Sequence, residues 1–188
     1  ERHFYIARKL AKENIKFTIF SSSYNHLFIA YPDVIKTFSE EIIDDVRFCW
    51  VKGLKYGKNS SGIRRIISFF EFALKLFYIP SHIYGKPDVI LVSSMSMFPI
   101  YAAIWHKMQN SSLKIIFEIR DIWPLTLLEI MKTSKWHPFV LLLRLTEKIS
   151  YLVSNHIISV LPKADMHIES VIKSNFKFTF IPNGIDIE

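Results

Sequence analysis

LKIIFEIRDIWP, Leu113 to Pro124, is the stretch on which the fold reading turns. Its first half is apolar, β-branched and without alternation, which predicts a strand covered on both faces rather than one with a solvated side. Glu118, Arg120 and Asp121 then arrive within four residues, followed by Trp123-Pro124. The same theme repeats outward towards the carboxyl terminus. PDVILVSS reads as a strand and MFPIYAAIWHKMQN as a helix; HPFVLLLRLTEKISYLVSN reads as a long helix and HIISVL as a strand. PKADMHIESVIKS reads as a helix with Pro162 near its first turn, and KFTFIP as a last strand before an Asn-Gly turn. Towards the amino terminus, RHFYIARKLAKEN has helical spacing and feeds the strand KFTIF. DDVRFCWVKG reads as a second strand, GLKYGKNSSG as a loop, and SGIRRIISFFEFALKLFYIP as a helix ending before Pro80. Strands alternating with helices predict an α/β fold with a doubly wound, mostly parallel sheet and right-handed crossovers. Residues 1–188 are expected to form a single Rossmann-like domain.

In such sheets ligands bind outside the carboxyl ends of the strands. Three polar clusters fall at expected strand ends: Ser21-Ser22-Ser23, Ser93-Ser94 with Ser96, and Arg120-Asp121. Spacing alone leaves Asp121 two readings, a ligand-facing carboxylate or a cap for the helix after Trp123-Pro124.

Composition narrows the alternatives. Half the residues are hydrophobic and 22% are charged, enough to bury a core and too apolar for disorder. Only 5 glycines are present, and they do not cluster into a phosphate-cradling loop. Cys49 is the sole cysteine, so no intramolecular disulfide forms. No run of about 18 uncharged apolar residues predicts a transmembrane helix. The 7 histidines fall into no ligand spacing, so no metal site is expected, and no Gly-x-Ser-x-Gly supports a hydrolase. The net charge of +7 favours acidic partners.

RHFYIARKLAKENIKFTIFSSSYNHL, FEIRDIWPLTLLEI, EKISYLVSNHIISVLPKADMHI and FIPNGID, in that order, resemble family 4 glycosyltransferases. The nearest subgroup is the O-antigen and capsule enzymes similar to N-acetyl-L-fucosamine transferases. The resemblance implies the amino-terminal, acceptor-side half of a GT-B fold, lacking its first strand and Gly-Gly loop and followed by a donor domain beyond Glu188. It implies transfer from a nucleotide sugar to a lipid-linked saccharide acceptor in bacterial surface polysaccharide synthesis, with no cofactor, by a cytoplasmic protein peripheral on the inner face of the membrane. Without its donor domain the chain is expected to be incomplete and inactive. The alternative is a non-catalytic remnant or binding module of the same fold.

By the same resemblance, Asp121 lies at the base of the cleft, where a carboxylate orients or deprotonates an acceptor hydroxyl. Arg2, His3, Ser22, Ser94, Arg120 and Trp123 are the implied acceptor-side residues. Arg120 steadies a diphosphate or forms a structural bridge to Glu118 or Asp121. Arg2 and His3 sit at a helix start suited to phosphate or are a solvated helix end. His26 is placed near the cleft. Asn183, Gly184 and Asp186 form the interdomain linker.

One further segment carries an interaction signal. Lys55, Lys58, Arg64 and Arg65 accompany Phe69 and Phe70, a combination that fits an anionic membrane surface. Its other reading is a core helix with solvated basic residues. The cations form no stripe over a recognisable nucleic-acid module, so nucleic acid is not an expected partner.

Overall fold

A computed structural model describes residues 2–25, 28, 30–55, 62–94, 96–129 and 132–184. Lys58, Asp186 and His26 lie outside the described residues. The chain divides into two compact units, one ending at Tyr84 and one spanning Gly85 to Gly184.

The first unit opens with α1 (Arg2–Lys12), then β1 (Thr18–Ser22), β2 (Phe38–Ile43), β3 (Val46–Val51), α2 (Gly62–Leu76) and the short α3 (Ser81–Tyr84). The sheet order is β1-β3-β2, with β1 parallel and β2 antiparallel to β3. The hairpin to β2 is absent from the sequence reading, which takes Asp44-Asp45 as the start of a strand. Both aspartates have positive φ, 46° and 64°, and make the tight turn between the two strands. FSEEII hides its strand character because Glu40 and Glu41 pair across it: Arg47 forks onto Glu40, and Trp50 Nε1 donates to Glu41 at 2.6 Å. Beneath them Cys49 is fully buried and accepts from Tyr84 Oη at 3.0 Å. Burial pushes this thiol up, and it pushes the Tyr84 phenol up as well.

The second unit holds β4 (Val89–Ser93), α4 (Pro99–Gln109), β5 (Lys114–Ile119), α5 (Trp123–Glu129), α6 (Pro138–Val153), β6 (His156–Ser159), α7 (Ala164–Val171) and β7 (Phe178–Phe180). All four strands run parallel in the order β4-β5-β6-β7. β5 is an inner strand, as its apolar run predicts: Ile115, Phe117 and Ile119 are at most 1% exposed, and even Glu118 is buried. Phe117 meets Tyr151 of α6 edge-on at 5.9 Å. Gly85 enters this unit with φ of 74°, a conformation that L side chains rarely adopt.

Two helix readings change. The helix expected after Trp123-Pro124 instead begins at Trp123, and proline fits its first turn because its missing N–H has no partner to lose. The residues of α3 escaped the pattern because four residues carry no periodicity.

Candidate functional site

The carboxyl end of β5 delivers its charges onto a loop fixed by its neighbours. Ser94, just past β4 and buried, accepts two main-chain N–H groups with one hydroxyl, from Arg120 at 2.9 Å and Asp121 at 3.1 Å. On the other side the buried Ser159 hydroxyl, at the end of β6, donates to the Ile119 carbonyl at 3.0 Å. The same carbonyl accepts from Val160 N at 3.1 Å. Both serines work because a strand end leaves main-chain groups without a ladder partner, and a short hydroxyl reaches them. Ser159 went unnoticed in the sequence, although its place just past an apolar run is the same signal that marked Ser94.

The loop leaves Asp121 exposed and Arg120 half-buried. The capping geometry at α5 belongs to Ile122, whose carbonyl accepts from Thr126 N at 3.0 Å and from the Thr126 hydroxyl at 3.1 Å. Asp121 stands two residues before the helix, one before this cap. Three buried polar atoms at this edge have no hydrogen-bond partner among the described residues: Ser93 Oγ, Ser96 Oγ and Trp123 Nε1. Buried polar groups are nearly always paired, so these three mark the edge as a place where water or a ligand completes the bonding. Ser94, Arg120, Asp121 and Trp123 are thus brought to one edge of one sheet.

Behind the loop, α5, α6 and α7 enclose a cleft of about 300 Å³ walled by Pro124, Leu125, Arg144, Glu147, Lys148, His167 and Val171. At its base one oxygen of the buried Glu147 accepts from Tyr151 Oη at 3.0 Å and meets His167 Nε2 at 2.9 Å. Burial drives the Tyr151 phenol up, and the Glu147 carboxylate adds to the effect. A more open cleft of about 660 Å³ beside Asp165, Glu169 and Phe178 touches none of the residues singled out in the sequence.

The remaining sequence candidates lie in the first unit. Arg2 and His3 open α1, and both make contacts there. Ser22 is the last residue of β1, two residues later than the sequence reading ends the strand. Its hydroxyl closes a local turn, donating to Tyr24 O at 3.1 Å and accepting from Tyr24 N at 3.3 Å. Gly53 packs so tightly on this hydroxyl that an added Cβ would collide with it. Lys55, Arg64 and Arg65 are exposed, whereas Phe69 and Phe70 are half-buried, with the Arg65 guanidinium 5.8 Å from the Phe69 ring. The exposed apolar positions of α2 are instead Ile63, Ile67 and Leu74, on one helical face. Asn183 and Gly184 end the second unit outside regular structure and are exposed. Among the described residues no group of three or more His, Cys, Asp or Glu could hold a metal ion, and no helix is long and apolar enough to cross a membrane.

No family model matches the chain, and no curated protein matches it. Solved structures do. Sucrose-phosphate synthase from Thermosynechococcus elongatus superposes with a TM-score of 0.64 over 99% of this chain, at 13% sequence identity. The chain spans 43% of the length of that protein. At this identity the likeness speaks to architecture: the chain has the α/β, Rossmann-like fold of one half of a GT-B protein.

Proposed function

We propose that the chain is the acceptor-side half of a glycosyltransferase of the family 4 type, moving a sugar from a nucleotide-sugar donor to a saccharide acceptor. The observation that carries this reading is the Arg120-Asp121 loop. A rigid main chain presents an exposed carboxylate at the sheet edge where such folds bind ligands, and unpaired Trp123 Nε1 and Ser96 Oγ lie at the same edge. The architecture shared with sucrose-phosphate synthase supports it. In this reading Asp121 orients the acceptor hydroxyl and Arg120 attends a diphosphate. Donor recognition resides in a second half, so residues 1–188 alone transfer no sugar.

The acceptor is a lipid-linked saccharide of bacterial surface polysaccharide synthesis, and the protein works peripherally on the cytoplasmic face of the membrane. The exposed Ile63, Ile67 and Leu74 row, flanked by Arg64, supports a membrane face on α2. The test is Asp121→Asn in the enzyme that carries this chain with its donor half. Asparagine keeps the size and loses the proton-accepting charge, so turnover should fall roughly a hundredfold with an unchanged melting temperature. Near-normal turnover would remove Asp121 from the chemistry. Efficient transfer by residues 1–188 alone would refute the division of labour.

A further inference from the structure

The segment from Lys132 to Leu152 sorts its charges by sign. Lys132, Lys135, Arg144 and Lys148 are all exposed. Its single carboxylate, Glu147, is turned inward and occupied by Tyr151 and His167. Between the cations lies an apolar row. Leu141, Leu145 and Leu152 are 42%, 54% and 52% exposed, and they recur at i, i+4 and i+11, so they share one face of α6. Lys148, at i+7, stands within that row, and Arg144 borders it. At the amino end of the helix Trp136 is 72% exposed, with Lys135 Nζ 5.8 Å from its ring centroid.

The turn that carries this tryptophan is built. Trp136 N donates to Ser134 Oγ, His137 N to Ser134 O, and Phe139 N to His137 Nδ1, which caps α6. Exposing three leucines and a tryptophan to water forfeits roughly 1.5–3 kcal/mol of burial for each large apolar side chain, so a face of this kind is explained by something that covers it.

We infer that the outer face of α6, with its Trp136 turn, is a docking surface for an anionic lipid bilayer. Each element matches that occupant. Leucines enter the acyl boundary, tryptophan favours the headgroup level, and long basic side chains reach out to lipid phosphates. The all-cationic rim would repel a second copy of the same face, so an isologous dimer through it is disfavoured. The inference concerns the second unit and does not depend on sugar transfer or on the α2 face.

The test uses the 188-residue chain with phosphatidylcholine vesicles containing zero or 30 mole per cent phosphatidylglycerol, a content on the order of natural anionic leaflets. Binding should rise with anionic lipid, fall with salt, and blue-shift the tryptophan emission; Trp136→Phe should abolish the shift. Arg144→Glu with Lys148→Glu should weaken binding by about tenfold or more, since each basic residue near such a surface is worth a several-fold gain. Leu145→Gln with Leu152→Gln should weaken it independently of salt. Arg64→Glu with Arg65→Glu, on α2, is run beside them to separate the two faces. Wild-type binding by both α6 pairs, with circular dichroism unchanged, overturns the inference. So does a concentration-dependent dimer that the leucine pair abolishes.

Discussion

Removing one oxygen atom should loosen the loop that bears Asp121. In Ser94→Ala the methyl group remains and the pocket keeps its shape, so the packing loss is slight. Two main-chain donors lose their acceptor. Asp121 is exposed, and water can re-pair its N–H, leaving a net loss of about 0.5–1.5 kcal/mol. Arg120 is half-buried, and a shielded unpaired N–H costs about 1–3 kcal/mol. Together the variant should lose about 1.5–4.5 kcal/mol, with roughly 2–4 °C of melting temperature for each kcal/mol in a chain of this size. Urea unfolding gives the total, and hydrogen exchange locates it: amide protection should fall at Arg120 and Asp121 while the middle of β5 is unaffected. Ser94→Thr keeps the hydroxyl and should keep the protection even if its extra methyl costs stability. A loss below about 0.5 kcal/mol with unchanged exchange at both amides would refute the claim that this hydroxyl holds the loop.

Phe117→Ala empties a fully buried position against Tyr151 and should cost about 3–5 kcal/mol in denaturant unfolding; a loss under about 1 kcal/mol would mean that β5 is not an inner strand. Gly53→Ala forces a Cβ onto the Ser22 hydroxyl and should destabilise the first unit by about 1–3 kcal/mol, with Ser22→Gly restoring most of it; no rescue would locate the strain elsewhere. Alkali should act through Cys49 and Tyr151, because burial keeps them protonated in the fold while the unfolded chain ionises near 9.0 and 10.0. Their contribution is whole below pH 9 and declines as pH rises past 9 and then 10, so Cys49→Ala and Tyr151→Phe should each flatten the alkaline fall in stability; an unaltered slope would contradict this.

The parallel sheet was legible because its strands are short apolar runs, and only burial on both faces tolerates such runs without alternation. The loop after β5 was legible because the adjacent charges Arg120-Asp121 cannot continue a core strand, and ligand edges are where folds of this kind place charge. β2 was not legible, since Glu40 and Glu41 read as solvent-facing coil until Arg47 and Trp50 are known to lie opposite. Long-range partners of that kind leave no local trace. On α2, phenylalanine identity singled out Phe69 and Phe70, whereas helical phase makes Ile63, Ile67 and Leu74 the more exposed apolar positions. The face of α6 was overlooked because EK within a leucine-rich helix looks like an ordinary charge pair, and only the fold shows Glu147 turning inward while Lys148 turns out.

The double acceptance by Ser94 has an evolutionary corollary. What it grips is the main chain of residues 120 and 121, which every amino acid except proline supplies. The identity of those two side chains can therefore drift without unravelling the support beneath them. A lineage carrying this scaffold can vary those two positions at little cost to folding, and a library randomised at residues 120 and 121 should yield mostly folded proteins whether or not they keep activity.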